Sequence, residues 1–196
     1  MKATFFERLG SYLLDTLIVS FILSLICLGF GNYTSETEKK MLELDNKLIE
    51  KSITTEEYLE EYQTLLYVHQ KENVLQNGIS VALTIAYYVV FQYMNKGQTI
   101  GKKLLNIRVV DKDTKKPISI LKGLLRSFII LSILSGTFSI IFLYILNKNS
   151  YFIPYSTLLF IEGVFTLTSI MLVLYKKDGR GLHDMMANTI VLKENK

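Results

Sequence analysis

The chain has 196 residues, enough for a single domain spanning 1–196. Nearly half of them, 49%, are apolar, yet 20% are charged and the formal net charge is +4. The apolar residues fall in blocks rather than on periodic faces, which argues against a water-soluble globule. The lone Cys27 excludes an internal disulfide, and no Cys/His cluster has zinc-ligand spacing.

About 20 consecutive apolar residues cross a bilayer as a helix. The first such block, residues 9–30, is preceded by Glu7 and Arg8 and contains Asp15 and Cys27. Its apolar run is too long for a cleaved signal peptide and lacks a small-x-small cleavage site, so it reads as a retained anchor. Cys27 reads as a small buried hydrophobe. A rise of about 1.5 Å per residue from residue 5 puts Asp15 about 15 Å in, near the midplane of a hydrocarbon layer about 30 Å thick. An ionised acid there costs about 2.5–3.5 kcal/mol, so it must face protein or water, meet a cation or bind a proton. Arg8 lies two turns earlier on the same helical face.

Residues 32–73 carry ten acids against five lysines and read as an outer loop. "SETE" at 35–38 and "TTEE" at 54–57 both fit a capping box. Met41, Leu44 and Leu48 share one helical face, as do Tyr58, Tyr62, Leu65 and Leu66. A helical hairpin is expected, its second helix running on into the next span because no Pro intervenes. "NYT" at 32–34 matches a glycosylation acceptor by sequence alone.

Three further spans are expected at 74–94, 118–146 and 153–175. Lys2, Arg8, a group from Lys96 to Lys122, and the tail from Lys176 to Lys196 all fall on one side of this four-span arrangement. By the positive-inside rule that side is cytoplasmic, with both termini in it. The net positive charge then reflects topology and contact with anionic lipid rather than nucleic-acid binding.

The connector "NKGQTIGKKLLNIRVVDKDTKKPIS" is not a phosphate loop. Gly97 and Gly101 are separated by three residues instead of four, and Lys103 stands where a hydroxyl is needed. Residues 97–105 are expected as a short helix at the lipid surface, with Lys102 and Lys103 toward headgroups. The β-branched runs at 107–110 and 188–192 are expected to pair as two short strands. The fold expected is therefore all-α: a polytopic membrane protein with four transmembrane helices, an extracytoplasmic helical hairpin and a small cytoplasmic β pairing.

Span three holds Arg126, span four holds Glu162, and Asp184 follows "RGLH" just beyond span four. Four separated segments, "RLGSYLLD" at 8–15, "GQTIGKKLLNIRVVD" at 97–111, "LLRSF" around Arg126 and "DGRGLHDMMANTIVL" at 178–192, resemble in order the RDD family of bacterial membrane proteins, named for one arginine and two aspartates. By position Arg8 resembles the family's arginine, Asp15 its first aspartate and Asp184 its second. Gly10 or Ser11 stands where an alanine is usual, a change of packing more than of charge, and the outer loop is long for the family. The resemblance implies a multi-pass protein of the bacterial cell membrane. It implies transport of an undefined ligand, with monovalent-cation/proton antiport associated with some members.

Two functions follow as expectations. In one, Asp15 and Glu162 bind a monovalent cation or proton in a small exchanger, and Ser11, Tyr12, Thr84, Thr166 and Thr168 add neutral oxygens. In the other, the protein is a non-transporting scaffold in which Asp15 and Asp184 neutralise Arg8 and Arg126. His183 reads as a hydrogen-bonded turn residue or a pH-sensitive group. No catalytic set is suggested, since the only two histidines, His69 and His183, fall on opposite sides, so an enzyme is not expected. Nor is a resident metal or cofactor. Four spans with no internal repeat suggest a homo-oligomer.

Overall fold

A computed structural model describes residues 1–28 and 36–194. The first helix, α1 (Phe5–Leu28), opens with a reciprocal cap: the Glu7 N–H donates to Thr4 Oγ1 (3.3 Å) and the Thr4 N–H to Glu7 Oε2 (2.8 Å). Its polarity is inside-out. Ser11 and Asp15 are its buried residues, while Leu13, Leu17, Phe21 and Leu25, spaced by four, are exposed along one face. Such a face suits lipid and not water.

The expected helical hairpin is present as α2 (Glu36–Ile49) and α3 (Thr55–Glu72). Thr54 and Glu57 form the expected capping box, and Leu44, 1% exposed, sits in the seam. The box at 35–38 and the acceptor at 32–34 lie outside the described residues. Tyr67 meets Tyr151 edge to face at 5.5 Å, fastening the hairpin to the last long helix. Only Asn73 separates α3 from α4 (Val74–Met94); the Asn73 N–H bonds to His69 O and the Asn77 N–H to Asn73 O, so the axis is nearly continuous, as expected. Within α4, Ala86–Phe91 widens into a π-helical turn.

The connector forms α5 (Ile100–Leu104) and β1 (Ile107–Asp111). After α6 (Ile120–Ser127), α7 (Ile133–Ile145), α8 (Lys148–Tyr175) and α9 (Leu182–Met186), the chain closes with β2 (Thr189–Lys193). The two strands pair antiparallel, with Val109 opposite Val191. Ala3, Ile107, Val109, Ile118 and Val191 form a small buried core beneath them, and the Ala3 N–H bonds to Val191 O. This strand pair, α5, α9 and the N-terminus make one end of the molecule. The hairpin makes the other.

Among the described residues, three helices are long and apolar enough to cross a membrane: Phe5–Leu28, Val74–Met94 and Lys148–Tyr175. The expected third span, 118–146, is not one helix. The chain breaks between α6 and α7, where Ser132 adopts a left-handed φ of 53° and the Leu134 N–H reaches back to Phe128 O at 3.0 Å. At 13 residues α7 rises only about 20 Å, short of about 30 Å of hydrocarbon. No Gly or Pro marks the break, so apolar continuity alone suggested a single helix. What sustains it is a side chain from α8, described below.

Candidate functional site

Charged groups from four elements converge at the strand end. α9 places Asp184, fully buried, between two arginines: the first turn of α1 supplies Arg8, whose Nη1 donates to Oδ2 at 2.8 Å, and the last turn of α6 supplies Arg126, whose Nη1 donates to Oδ1. Thr189 Oγ1 adds a bond to Oδ1 (3.2 Å), and the Gly181 N–H a longer one to Oδ2 (3.4 Å). Arg180 bonds to the main-chain oxygens of Thr189 and Asp184. Burial alone would raise the Asp184 pKa, but Arg126 and Arg8 outweigh it and hold it at about 2. His183 lies 2.5 Å from Ser169 Oγ through Nδ1, and burial draws its pKa down to about 3, so it is neutral at physiological pH. It is a buried side-chain contact rather than a sensor in that range.

Asp15 does not meet Arg8. Its partners come from α4 and the connector: Tyr87 Oη (2.6 Å) and the Gly101 N–H (2.7 Å) donate to Oδ1, Thr99 Oγ1 (2.5 Å) donates to Oδ2, and Lys102 Nζ stands 3.7 Å from Oδ2. The π-helical turn carries Tyr87 into this position. Gly101 is required by close approach: a Cβ there would strike Ser11 O and come within 2.9 Å of the Asp15 carboxyl group. Lys103 is exposed as expected, whereas Lys102 turns inward, against the expectation of a headgroup-facing side chain. Burial is the main cause that lowers the Lys102 pKa to about 8; Arg126 adds to the effect and Asp15 opposes it.

The family model of the RDD family matches residues 2–188. The chain belongs to the RDD family. No curated protein and no solved structure matches it significantly. With its exposed apolar helices, this RDD protein is a membrane protein. Of the three residues that resemble the family's motif by position, Arg8 and Asp184 form an ion pair, whereas Asp15 belongs to a separate set with Tyr87, Thr99 and Lys102.

Glu162 stands apart from both sets. It lies on α8 and is 4% exposed; its Oε1 accepts the Ser135 N–H at 2.9 Å. That N–H belongs to the first turn of α7, where no helical carbonyl precedes it. Glu162 thus caps the broken third segment from a neighbouring helix, in keeping with the helix dipole. A free N–H in hydrocarbon costs several kcal/mol, so the break persists only because protein encloses it. Glu162 Oε2 is buried with no hydrogen-bond partner among the described residues. The Ser135 that Glu162 caps also lines a cavity of about 280 Å³, together with Asn77, Ser80, Thr84, Ser139 and Tyr155 and the apolar Val81, Leu131, Ile133 and Leu159. None of its lining residues is charged.

Of the neutral oxygens expected to serve an ion, Thr84 lines this cavity, Ser11, Tyr12 and Thr166 line a different one at the strand end, and Thr168 donates to Val164 O within its own helix. Among the described residues, no three His, Cys, Asp or Glu side chains converge as metal ligands. Sequence reasoning missed Tyr87, Thr99 and Lys102 as partners of Asp15. The one signal was the glycine spacing of "GQTIG", which allows a backbone approach but does not say to what.

Proposed function

We propose that the protein is a small exchanger of monovalent cations and protons, with Glu162 as the carrier. One observation carries this reading: a buried carboxylate with one unpartnered oxygen caps a broken helix at Ser135, which also lines an uncharged cavity bearing several hydroxyls. An unpaired buried charge is costly, so the acid must be neutralised by a proton or a cation. Ser, Thr and Tyr hydroxyls and the Asn77 amide oxygen can replace part of a cation's hydration shell. Because one carboxylate is available, a proton and a cation compete for it, and that competition is the basis of exchange. Discontinuous helices beside ion sites are a recurring device of secondary transporters. In this reading the broken third segment completes a fourth crossing, the strand end faces the cytoplasm of a bacterial cell, and two copies assemble in the membrane.

The second reading, a scaffold without transport, draws on the strand end. There Asp15 and Asp184 have both oxygens engaged, as structural ties would. A flux screen of the reconstituted protein across Na⁺, K⁺, Li⁺ and pH gradients separates the two. Cation-driven proton movement is expected. Folded protein that moves nothing under any of these gradients would favour the scaffold.

A further inference from the structure

A second cavity, of about 230 Å³, lies at the strand end and differs from the first in what it offers a ligand. Much of its wall is apolar, including Leu9, Ile130 and Ile170, and its charged lining residues are Arg8, Lys102 and Arg126. Gln92 also lines it and is 2% exposed. Arg8 and Gln92 both line it, and three buried nitrogens of these two residues have no hydrogen-bond partner among the described residues: Arg8 Nε, Arg8 Nη2 and Gln92 Nε2. All three are donors. A buried donor left unmet costs about 1–3 kcal/mol, more when it is charged. The carboxylates nearby do not meet them, because Asp184 engages Arg8 only through Nη1 and Asp15 is bonded to Tyr87, Thr99 and the Gly101 N–H. Three cationic side chains thus stand against two acids.

We propose that this cavity binds one acidic phospholipid, with its phosphate on Arg8 and Gln92 and an acyl chain along Leu9 and Ile170. The chemistry of the donors selects an oxyanion, for which the fork of a guanidinium is well matched. The wall selects a lipid over a free anion. Leu9 and Ile170 line the cavity and are each 39% exposed on the outer faces of α1 and α8, so it opens sideways toward the surface that lipid covers. Arg126 and Lys102 disfavour a zwitterionic headgroup, whose quaternary ammonium would sit beside them. The site does not depend on Glu162 or on exchange.

The test is native mass spectrometry and thermal unfolding of the full chain in detergent, with phosphatidylglycerol, phosphatidylcholine or inorganic phosphate added separately. Two variants accompany the wild type. Arg8→Lys keeps a cation for Asp184 but removes the two unmet donors. Gln92→Met removes a donor with no partner to lose, so its unfolding temperature without lipid should be no lower than that of the wild type. The wild type is expected to retain one phosphatidylglycerol and to gain stability from it. Both variants should bind it about tenfold more weakly or worse, from the loss of charge-assisted or buried hydrogen bonds. Equal retention of phosphatidylcholine would overturn the proposal. So would undiminished phosphatidylglycerol binding by a folded Gln92→Met, or stabilisation by inorganic phosphate equal to that by lipid.

Discussion

The strand end and the Glu162 cavity both bury carboxylates, and they do so in opposite ways. At the strand end each oxygen of Asp15 and Asp184 has at least one donor, and the donors come from elements far apart in sequence. At Glu162 one oxygen caps a helix and the other has no hydrogen-bond partner among the described residues. A fully met carboxylate ties elements together, because moving it breaks several charge-assisted bonds at once. A half-met carboxylate has capacity left for a proton or an ion. The residue type is alike in both places; what differs is whether an oxygen is left without a donor.

The sharpest way to break this contrast is to remove the tie. Asp184→Ala leaves Arg8 and Arg126 buried without their acid and should cost about 3–5 kcal/mol, read as a large drop in unfolding temperature in detergent. Unfolding like the wild type would show that the strand end is not held by its charges. Acid should act in the same direction. The native pKa of His183, about 3, lies below its ordinary 6.5, so the unfolded chain binds a proton that the native chain refuses as pH falls from 6.5 toward 3. The Asp184 pKa, about 2 against 3.8, adds a further loss below pH 4. Lys102 gives the mirror case. Its pKa falls from 10.5 to about 8, so stability should rise between pH 8 and 10.5, where only the unfolded chain holds that proton. A pH series of unfolding temperatures checks both windows. Gly101→Ala should cost about 1–3 kcal/mol through the collision with Ser11 and Asp15, visible in the same assay. Glu162→Gln should change stability least, by under about 1 kcal/mol, because the amide oxygen can still accept the Ser135 N–H.

Much of the framework was legible in the sequence. The apolar blocks gave three long helices, the Thr54–Glu57 box marks a real helix start, and the two β-branched runs pair as expected. Other features depended on tertiary geometry and left no local trace. The break before α7 falls in "FIILS", which reads as helix in any window, and its cap comes from α8. Lys102 and Lys103 are adjacent and alike in sequence. Lys102 turns inward to Asp15 next to the close packing of Gly101 on Ser11, a tertiary contact with no local sequence signal. The pairing of Arg8 with Asp184 instead of Asp15 likewise joins residues 176 positions apart, beyond any helical-face argument.

The most direct test of the account is cation-driven proton movement in liposomes for Glu162→Gln and Asp15→Asn, measured side by side and normalised to folded protein. Glu162→Gln is expected to abolish exchange while its unfolding temperature stays near that of the wild type. Asp15→Asn should be less stable yet exchange normally per folded molecule. Exchange surviving in Glu162→Gln, or lost only in Asp15→Asn, would contradict it.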